Sequence, residues 1–241
     1  AHRIKANLKT YSRLFDSGVS KKNKIRRWLE FAAWLSNATA QPKTLSVPES
    51  RKPPPTKEPA PLIIINPYSA VREKQFLPSL FAEIINLIPE EYQIALTGTS
   101  LDRRRNPEFE HLFKNPRIQF EDADFQTLAS RLQSAELVIS VDTACMHLAV
   151  AVGAPTICLA SAAYVDEIVP YDSAWSPPHV RFIYKTMACE GCLGNCHLPP
   201  ENGMYPCVAQ LTNETILVEL RERLELLPSY KTAILDSNRL T

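Results

Sequence analysis

Asp142, Thr143 and His147 bring a carboxylate, a hydroxyl and an imidazole together directly after the apolar run Leu137–Val141. That run is short and rich in β-branched residues, the pattern of a strand buried on both faces of a parallel sheet. It stops at Asp142-Thr143, two residue types that favour helix N-caps. The next eight residues, Ala-Cys-Met-His-Leu-Ala-Val-Ala, suit a helix as far as Gly153, which suits a left-handed C-terminal cap. A buried helix is therefore expected to start at the carboxyl end of a strand. Its unpaired amides and positive dipole end make an anion site, and ligands of open α/β sheets settle at such strand ends. Thr143 and His147, four apart on one helical face, would converge with Asp142 on that anion. The natural occupant is a phosphate joined to a polar group. Spacing alone balances this against a second reading, in which the polar pair only caps the helix and His147 is a satisfied core histidine.

A second constellation is Cys189, Cys192, Cys196 and Cys207, in a C-x2-C-x3-C-x10-C pattern. A C-x2-C knuckle presents two thiolates to one tetrahedral ion, so the four could bind zinc, with His197 as a fifth candidate ligand. Disulfides in an oxidising compartment and free buried thiols are the rival readings. Cys145 and Cys158 fall in apolar runs and read as core residues.

The elements that must position these groups fit a single α/β core. The chain has 241 residues, 45% hydrophobic, with a net charge of +1. That length can bury one full sheet with accessory elements, and the charge argues against bulk nucleic-acid affinity. No apolar run is long enough to span a bilayer and the start lacks a secretory core, so a soluble, cytoplasmic protein is expected. The chain does not begin with Met, as expected of a fragment or a processed product. Residues 1–40 form a basic helical lead-in. Residues 41–61, with seven prolines, read as a semi-rigid extended linker. Residues 62–228 carry the Rossmann-like domain, with a Cys-rich insertion at 189–207, and 229–241 form a tail. In the lead-in, Ile25, Trp28, Leu29 and Ala32 share one face of an amphipathic helix whose front is basic. That face could lie on an anionic membrane surface, and packing on a missing or neighbouring domain is the preferred alternative. A last amphipathic helix is expected after Thr212 or Asn213.

The segment Asp142-Thr-Ala-Cys-Met-His-Leu-Ala-Val-Ala-Val-Gly-Ala-Pro-Thr156 resembles the Asp-Thr-Gly-x-x-His-Leu-Ala motif of glycosyltransferase family 9, the ADP-heptose:lipopolysaccharide heptosyltransferases. It departs at Ala144, where the family usually has Gly, and the added methyl group stands where backbone would approach the donor. The resemblance runs from about Pro61 to about Leu226. Leu62 to Pro78 is similar to the family's opening strand, small-residue turn and Lys-x-Trp-Pro segment, with Phe76-Leu77 in place of the Trp. A strand emerging into Asn66-Pro-Tyr-Ser-Ala70 would leave amides and the Ser69 hydroxyl free, and Lys74 would meet the donor phosphates. Tyr92 to Ser100 resembles the strand before a nucleoside-contacting loop at Gly98, with Asp102 where the family often has a ribose-binding Glu. Phe125 to Leu132 resembles the short helix whose amino end flanks the base. The Cys-rich insertion resembles one near the carboxyl end of many family members.

The resemblance implies an α/β, Rossmann-like parallel sheet flanked by helices, similar to the carboxyl half of a GT-B glycosyltransferase. It implies inverting transfer of heptose from ADP-heptose to a lipopolysaccharide core acceptor. No metal is obligatory for that chemistry, and a structural zinc is the one cofactor the cysteines leave open. The donor-binding set would be Ser69, Lys74, Gly98, Asp102, Asp142, Thr143, Ala144, Cys145, Met146 and His147, the stretch from Thr143 to His147 through its amides. The family's amino half supplies acceptor contacts and the proposed general base, and no counterpart is expected before Pro61. The implied location is cytoplasmic, with peripheral contact on the inner membrane's cytoplasmic face as an option. Two other classes stand beside the enzyme: a noncatalytic nucleotide-sugar-binding or assembly module, and a zinc-stabilised structural domain.

Overall fold

The computed structural model describes residues 24–36, 47–173 and 176–230. The start of the basic lead-in, the first part of the linker and most of the tail lie outside the described residues, as does the Leu29 side chain. Six strands form one all-parallel sheet: β1 (Leu62–Asn66), β2 (Gln93–Thr97), β3 (Ile118–Glu121), β4 (Leu137–Val141), β5 (Thr156–Leu159) and β6 (Val180–Ile183), in the order β3-β2-β1-β4-β5-β6. The chain winds outward from β1 to β3 and then returns to lay β4 on the other side of β1. β1 and β4 therefore border the point where the winding reverses, and a crevice opens outside their carboxyl ends.

The pattern of apolar residues explains why both faces are covered. β1 reads Leu-Ile-Ile-Ile-Asn and β4 Leu-Val-Ile-Ser-Val, and all ten residues are buried. Ile63 and Ile65 of β1, with Leu137 and Ile139 of β4, face α2 (Pro78–Leu87) and the two carboxyl-terminal helices. Leu62, Ile64 and Val138 face the opposite way, onto α4 (Phe125–Ser134) and α5 (Ala144–Val152). Strand side chains alternate between faces, so an uninterrupted apolar run requires helices on both. The edge strands carry the polar positions: β3 leaves Gln119 exposed and β6 leaves Arg181 exposed.

Other elements take up their expected local signals or depart from them. α1 (Lys24–Ser36) packs Ile25 against the buried cluster that contains Met146, Val150 and Cys158, and its Arg27 pairs with Glu167, while Trp28 is exposed. Residues 47–61 hold one 3-10 turn, Glu49–Arg51, and are tied to the helices. The Val47 amide donates to the Ala151 carbonyl, Thr56 bonds Ser134, and Glu58 pairs with Arg131. Asp102 and the three arginines after it, a run that suits a solvated loop, instead belong to α3 (Ser100–Arg105). Thr99 caps it, accepting from the Asp102 amide while the Asp102 carboxylate accepts from the Thr99 amide. α6 (Pro206–Ala209) is a single turn, and α7 (Asn213–Leu224) is capped by Thr212. Among the described residues, no helix is long and apolar enough to cross a membrane.

Candidate functional site

A cleft of about 460 Å³ lies at the carboxyl ends of β1, β2 and β4. Asn66, Ser69 and Lys74 wall one side, Thr97, Gly98 and Asp102 a second, and Asp142 to Cys145 a third, with Phe125 at the rim. This volume falls in the range of small-molecule sites, and its place is the winding-reversal crevice. The structure thus gathers Ser69, Lys74, Gly98, Asp102, Asp142, Thr143, Ala144 and Cys145 around one space.

Lys74 is brought in by the 3-10 turn Arg72–Lys74 that follows β1. Its ammonium donates to the Asp142 carboxylate at 2.8 Å and to the Asp142 carbonyl at 2.8 Å. The pair is buried, with side chains 10% and 4% exposed, and the Tyr164 ring lies 4.7 Å from the ammonium. An ammonium has three donors, and among the described residues Asp142 takes two, so that the third faces either the Tyr164 ring or a ligand. Lys74 is thus fixed in the cleft wall rather than on an exposed charged face.

The turn after β1 is more self-satisfied than its sequence suggests. The Ser69 amide, read as free, donates to Gln75 Oε1 at 2.8 Å, and the Ser69 hydroxyl accepts from the Val71 amide at 3.2 Å. Gln75 is itself buried and donates to Asn106 Oδ1 at 2.8 Å. A serine hydroxyl bonds nearby backbone readily, so Ser69 spends part of its polar capacity inside the turn. Gly98 is needed for space: a Cβ there would lie 2.5 Å from the Tyr68 ring, which is buried against Phe109.

The expected convergence of Thr143 and His147 does not form. Thr143 is the N-cap residue of α5, with an extended backbone at φ −144°, so it lies outside the helical face that spacing assigns it. Its hydroxyl does not cap the helix; it meets Asn66 Oδ1 at 2.9 Å. Met146 is fully buried among Val150, Cys158 and Val169, and His147 turns away from the cleft to stack on Tyr171, its Nδ1 2.6 Å from the Tyr171 hydroxyl. Burial holds the His147 imidazole below its usual range; Asp142 opposes that shift and Lys74 reinforces it. The side chains of Met146 and His147 therefore do not line the cleft, and the His147 amide is spent on the Thr143 carbonyl at 3.3 Å, whereas Thr143, Ala144 and Cys145 bring the amino end of α5 to its edge.

Asp102 lines the cleft, yet one of its oxygens is held by the Thr99 amide at 2.9 Å and the Thr99 hydroxyl at 2.6 Å. Three residues that motif reading passed over also shape the site. Asn66 ties strand ends together, Gln75 orders the turn, and Tyr164 covers Lys74. Asn66 carries a sequence signal, a polar residue ending an apolar strand; the other two become visible only through long-range contacts.

The four cysteines do not come together as the zinc reading, one of three that their spacing leaves open, would require. Among the described residues, no three His, Cys, Asp or Glu side chains come together to hold a metal. Cys189 and Cys196 approach to 3.9 Å between sulfurs. Cys207 sits in α6, buried in the core, where burial pushes its thiol up, against an opposing pull from the Ala162 and Ala163 backbone. The insertion instead braces the sheet's carboxyl edge: the Gly191 amide donates to the Ala162 carbonyl and the Leu193 amide to the Ala163 carbonyl.

Comparison with known proteins agrees with this architecture. Among solved structures, the glycosyl transferase family 9 protein of Veillonella parvula is 17% identical, covering 88% of this chain and 62% of its own, with a TM-score of 0.59. The E. coli heptosyltransferase WaaC, solved with ADP-2-deoxy-2-fluoro heptose, is 16% identical over 88% and 59%, with a TM-score of 0.56. The E. coli ADP-heptose lps heptosyltransferase II is 19% identical over 69% and 47%, with a TM-score of 0.49. The chain thus spans 47 to 62% of the length of these structures, and the first two share its fold, a helix-flanked parallel sheet of GT-B type. No curated protein matches it. The family model described as glycosyltransferase family 9 (heptosyltransferase) matches residues 2–179, beginning well before Pro61, taking in α1 and strands β1 to β5, and ending just before β6. With that match over most of its length, the chain belongs to glycosyltransferase family 9, the heptosyltransferase family.

Proposed function

We propose that this chain is the nucleotide-sugar-binding part of a heptosyltransferase. It would take ADP-heptose as donor for inverting transfer to a lipopolysaccharide core sugar. The observation that carries the reading is Lys74, buried in the wall of the cleft at the winding reversal with one N–H not taken by Asp142. A fixed ammonium in a partly desolvated cleft acts on departing diphosphate charge without reorganising, and the amides opening α5 add donors aimed at the same place. Asp142 holds the ammonium in position and neutralises it while the cleft is empty. Gly98 and Phe125 border the side where the nucleoside would lie, and the methyl group of Ala144 enters the cleft where the family usually has Gly. Deprotonation of the acceptor falls to the amino-terminal half that the family resemblance implies. The protein would act at the cytoplasmic side of the membrane, with the exposed Trp28 and basic Lys24 and Arg26 of α1 suited to peripheral contact.

The test is calorimetric titration of the chain with ADP and with ADP-heptose, beside Lys74→Ala. Saturable binding is expected, weakened at least tenfold in the variant, since loss of a charge-assisted hydrogen bond costs about 1.5–3 kcal/mol. Equal affinity in the variant would remove Lys74 from the site. No binding by the folded chain would favour the noncatalytic reading, for which the added methyl of Ala144 is the supporting feature.

A further inference from the structure

The Asn66 side chain is buried at the carboxyl end of β1, 7% exposed, and its neighbours fix its orientation. Nδ2 lies 2.9 Å from the Thr97 carbonyl. A carbonyl only accepts, so the amide nitrogen must face it and Oδ1 must face Ser140 and Thr143. Two hydroxyls, 3.5 Å apart from each other, then meet two nearer acceptors. Ser140 Oγ is 2.7 Å from the Val141 carbonyl and 3.3 Å from Asn66 Oδ1. Thr143 Oγ1 is 2.9 Å from Asn66 Oδ1 and 3.3 Å from the Val141 carbonyl. The shorter contact of each assigns Ser140 to Val141 and Thr143 to Asn66, and both acceptors are satisfied.

A hydroxyl has one proton, and that of Thr143 is committed inside the protein. Thr143 nevertheless lines the cleft. Its oxygen therefore offers the cleft lone pairs and no donor. An ionised phosphate oxygen also offers only lone pairs, so the two would repel; a hydroxyl of the ligand would donate. We propose that Thr143 Oγ1 is an acceptor that reads a sugar hydroxyl of the nucleotide sugar, and that Asn66 is the positioning residue that makes it one. The inference rests on the donor-binding reading above and deepens it. Of the Asp142, Thr143 and His147 triad that spacing groups around a phosphate, Thr143 thus belongs to the sugar, and the phosphates are left to Lys74, which lies outside that triad. The hydroxyl has two possible sources, the ribose and the transferred sugar.

The experiment is titration calorimetry at pH 8 of the wild-type chain, Thr143→Val, Thr143→Ser and Asn66→Leu, with ligands taken in pairs. ADP against 2′-deoxy-ADP and 3′-deoxy-ADP reports the ribose. ADP-heptose against its 2-deoxy-2-fluoro analogue reports the transferred sugar, and inorganic pyrophosphate carries no sugar at all. In one pair the wild type is expected to prefer the hydroxyl-bearing member by roughly 3- to 10-fold, the worth of one neutral hydrogen bond. Thr143→Ser keeps that ratio, while Thr143→Val and Asn66→Leu bring it to about one. Pyrophosphate affinity should stay within about twofold in Thr143→Val. A purely structural role for Asn66 would weaken both members of a pair together and leave the ratio unchanged. The acceptor role is overturned if no pair shows a preference in a wild type that binds ADP, if Thr143→Val leaves the ratio intact, or if Thr143→Val loses pyrophosphate. A wild type that binds no ADP instead overturns the donor-binding reading, and this inference with it.

Discussion

At the scale of residues, the site is made by side chains whose partners lie far along the chain. Lys74 reads as an ordinary surface lysine until Asp142, 68 positions later, is placed against it. The family motif could point to Lys74, but no local rule could bury it. The Thr143 hydroxyl was legible as a polar group at a helix start and illegible as Asn66's partner, 77 positions away. His147 followed the plainer of its two readings, a ring packed on Tyr171 beside the sheet. That packing has a measurable consequence. Burial lowers the imidazole's proton affinity in the folded chain below its unfolded value of 6.5. Below that pH the unfolded chain takes up a proton more readily than the folded one. The stability contributed by neutral His147 is thus present above about pH 6.5 and falls away as the pH drops toward the depressed folded value. Thermal melts at pH 5 and pH 7.5 should show wild type losing more stability on acidification than His147→Gln. Matching losses would mean that His147 does not carry this dependence.

At the scale of elements, the central strands were legible because their apolar runs have no solvent-facing side. Leu62–Asn66 and Leu137–Val141 are buried throughout, and periodicity needs nothing more. The edges were harder. Ile118–Glu121 and Val180–Ile183 mix polar and apolar residues, and each is a strand because a neighbour supplies its pairing. α3 was hidden for a related reason: its arginines look solvated, while its start is fixed by the local Thr99 and Asp102 cap. The end of α5 was written plainly in Gly153, which adopts φ 89°, with the Ala154 amide closing back on the Ala149 carbonyl at 2.9 Å. A side chain at that φ is strained, so Gly153→Ala should destabilise the chain by about 1 kcal/mol. Urea unfolding that shows no decrease would mean the left-handed cap relaxes without cost.

At the scale of the whole molecule, strand order is the feature that local reading could not supply. Nothing in the Leu137–Val141 sequence says that it pairs with β1 rather than with β3, its predecessor in the chain. Only a family resemblance anticipates that placement, and the cleft depends on it. A ligand held there bridges the first strand of the sheet and the fourth, so it should stabilise the folded chain as a unit. At ADP concentrations about 100 times Kd, binding contributes about 2.7 kcal/mol, which raises Tm by roughly 5–10 °C for a domain of this size. Scanning calorimetry with and without ADP measures it, and a shift absent at saturation would contradict occupancy of the cleft. The Asn66 amide adds a constraint on when the cleft can exist at all. It joins strand ends separated by 31, 74 and 77 residues, so its bonds close only after β1, β2 and β4 have all docked. Local elements form quickly, and contacts of long sequence separation form late. On the donor-binding reading, partly folded chains in which β4 has not yet docked would hold no sugar nucleotide.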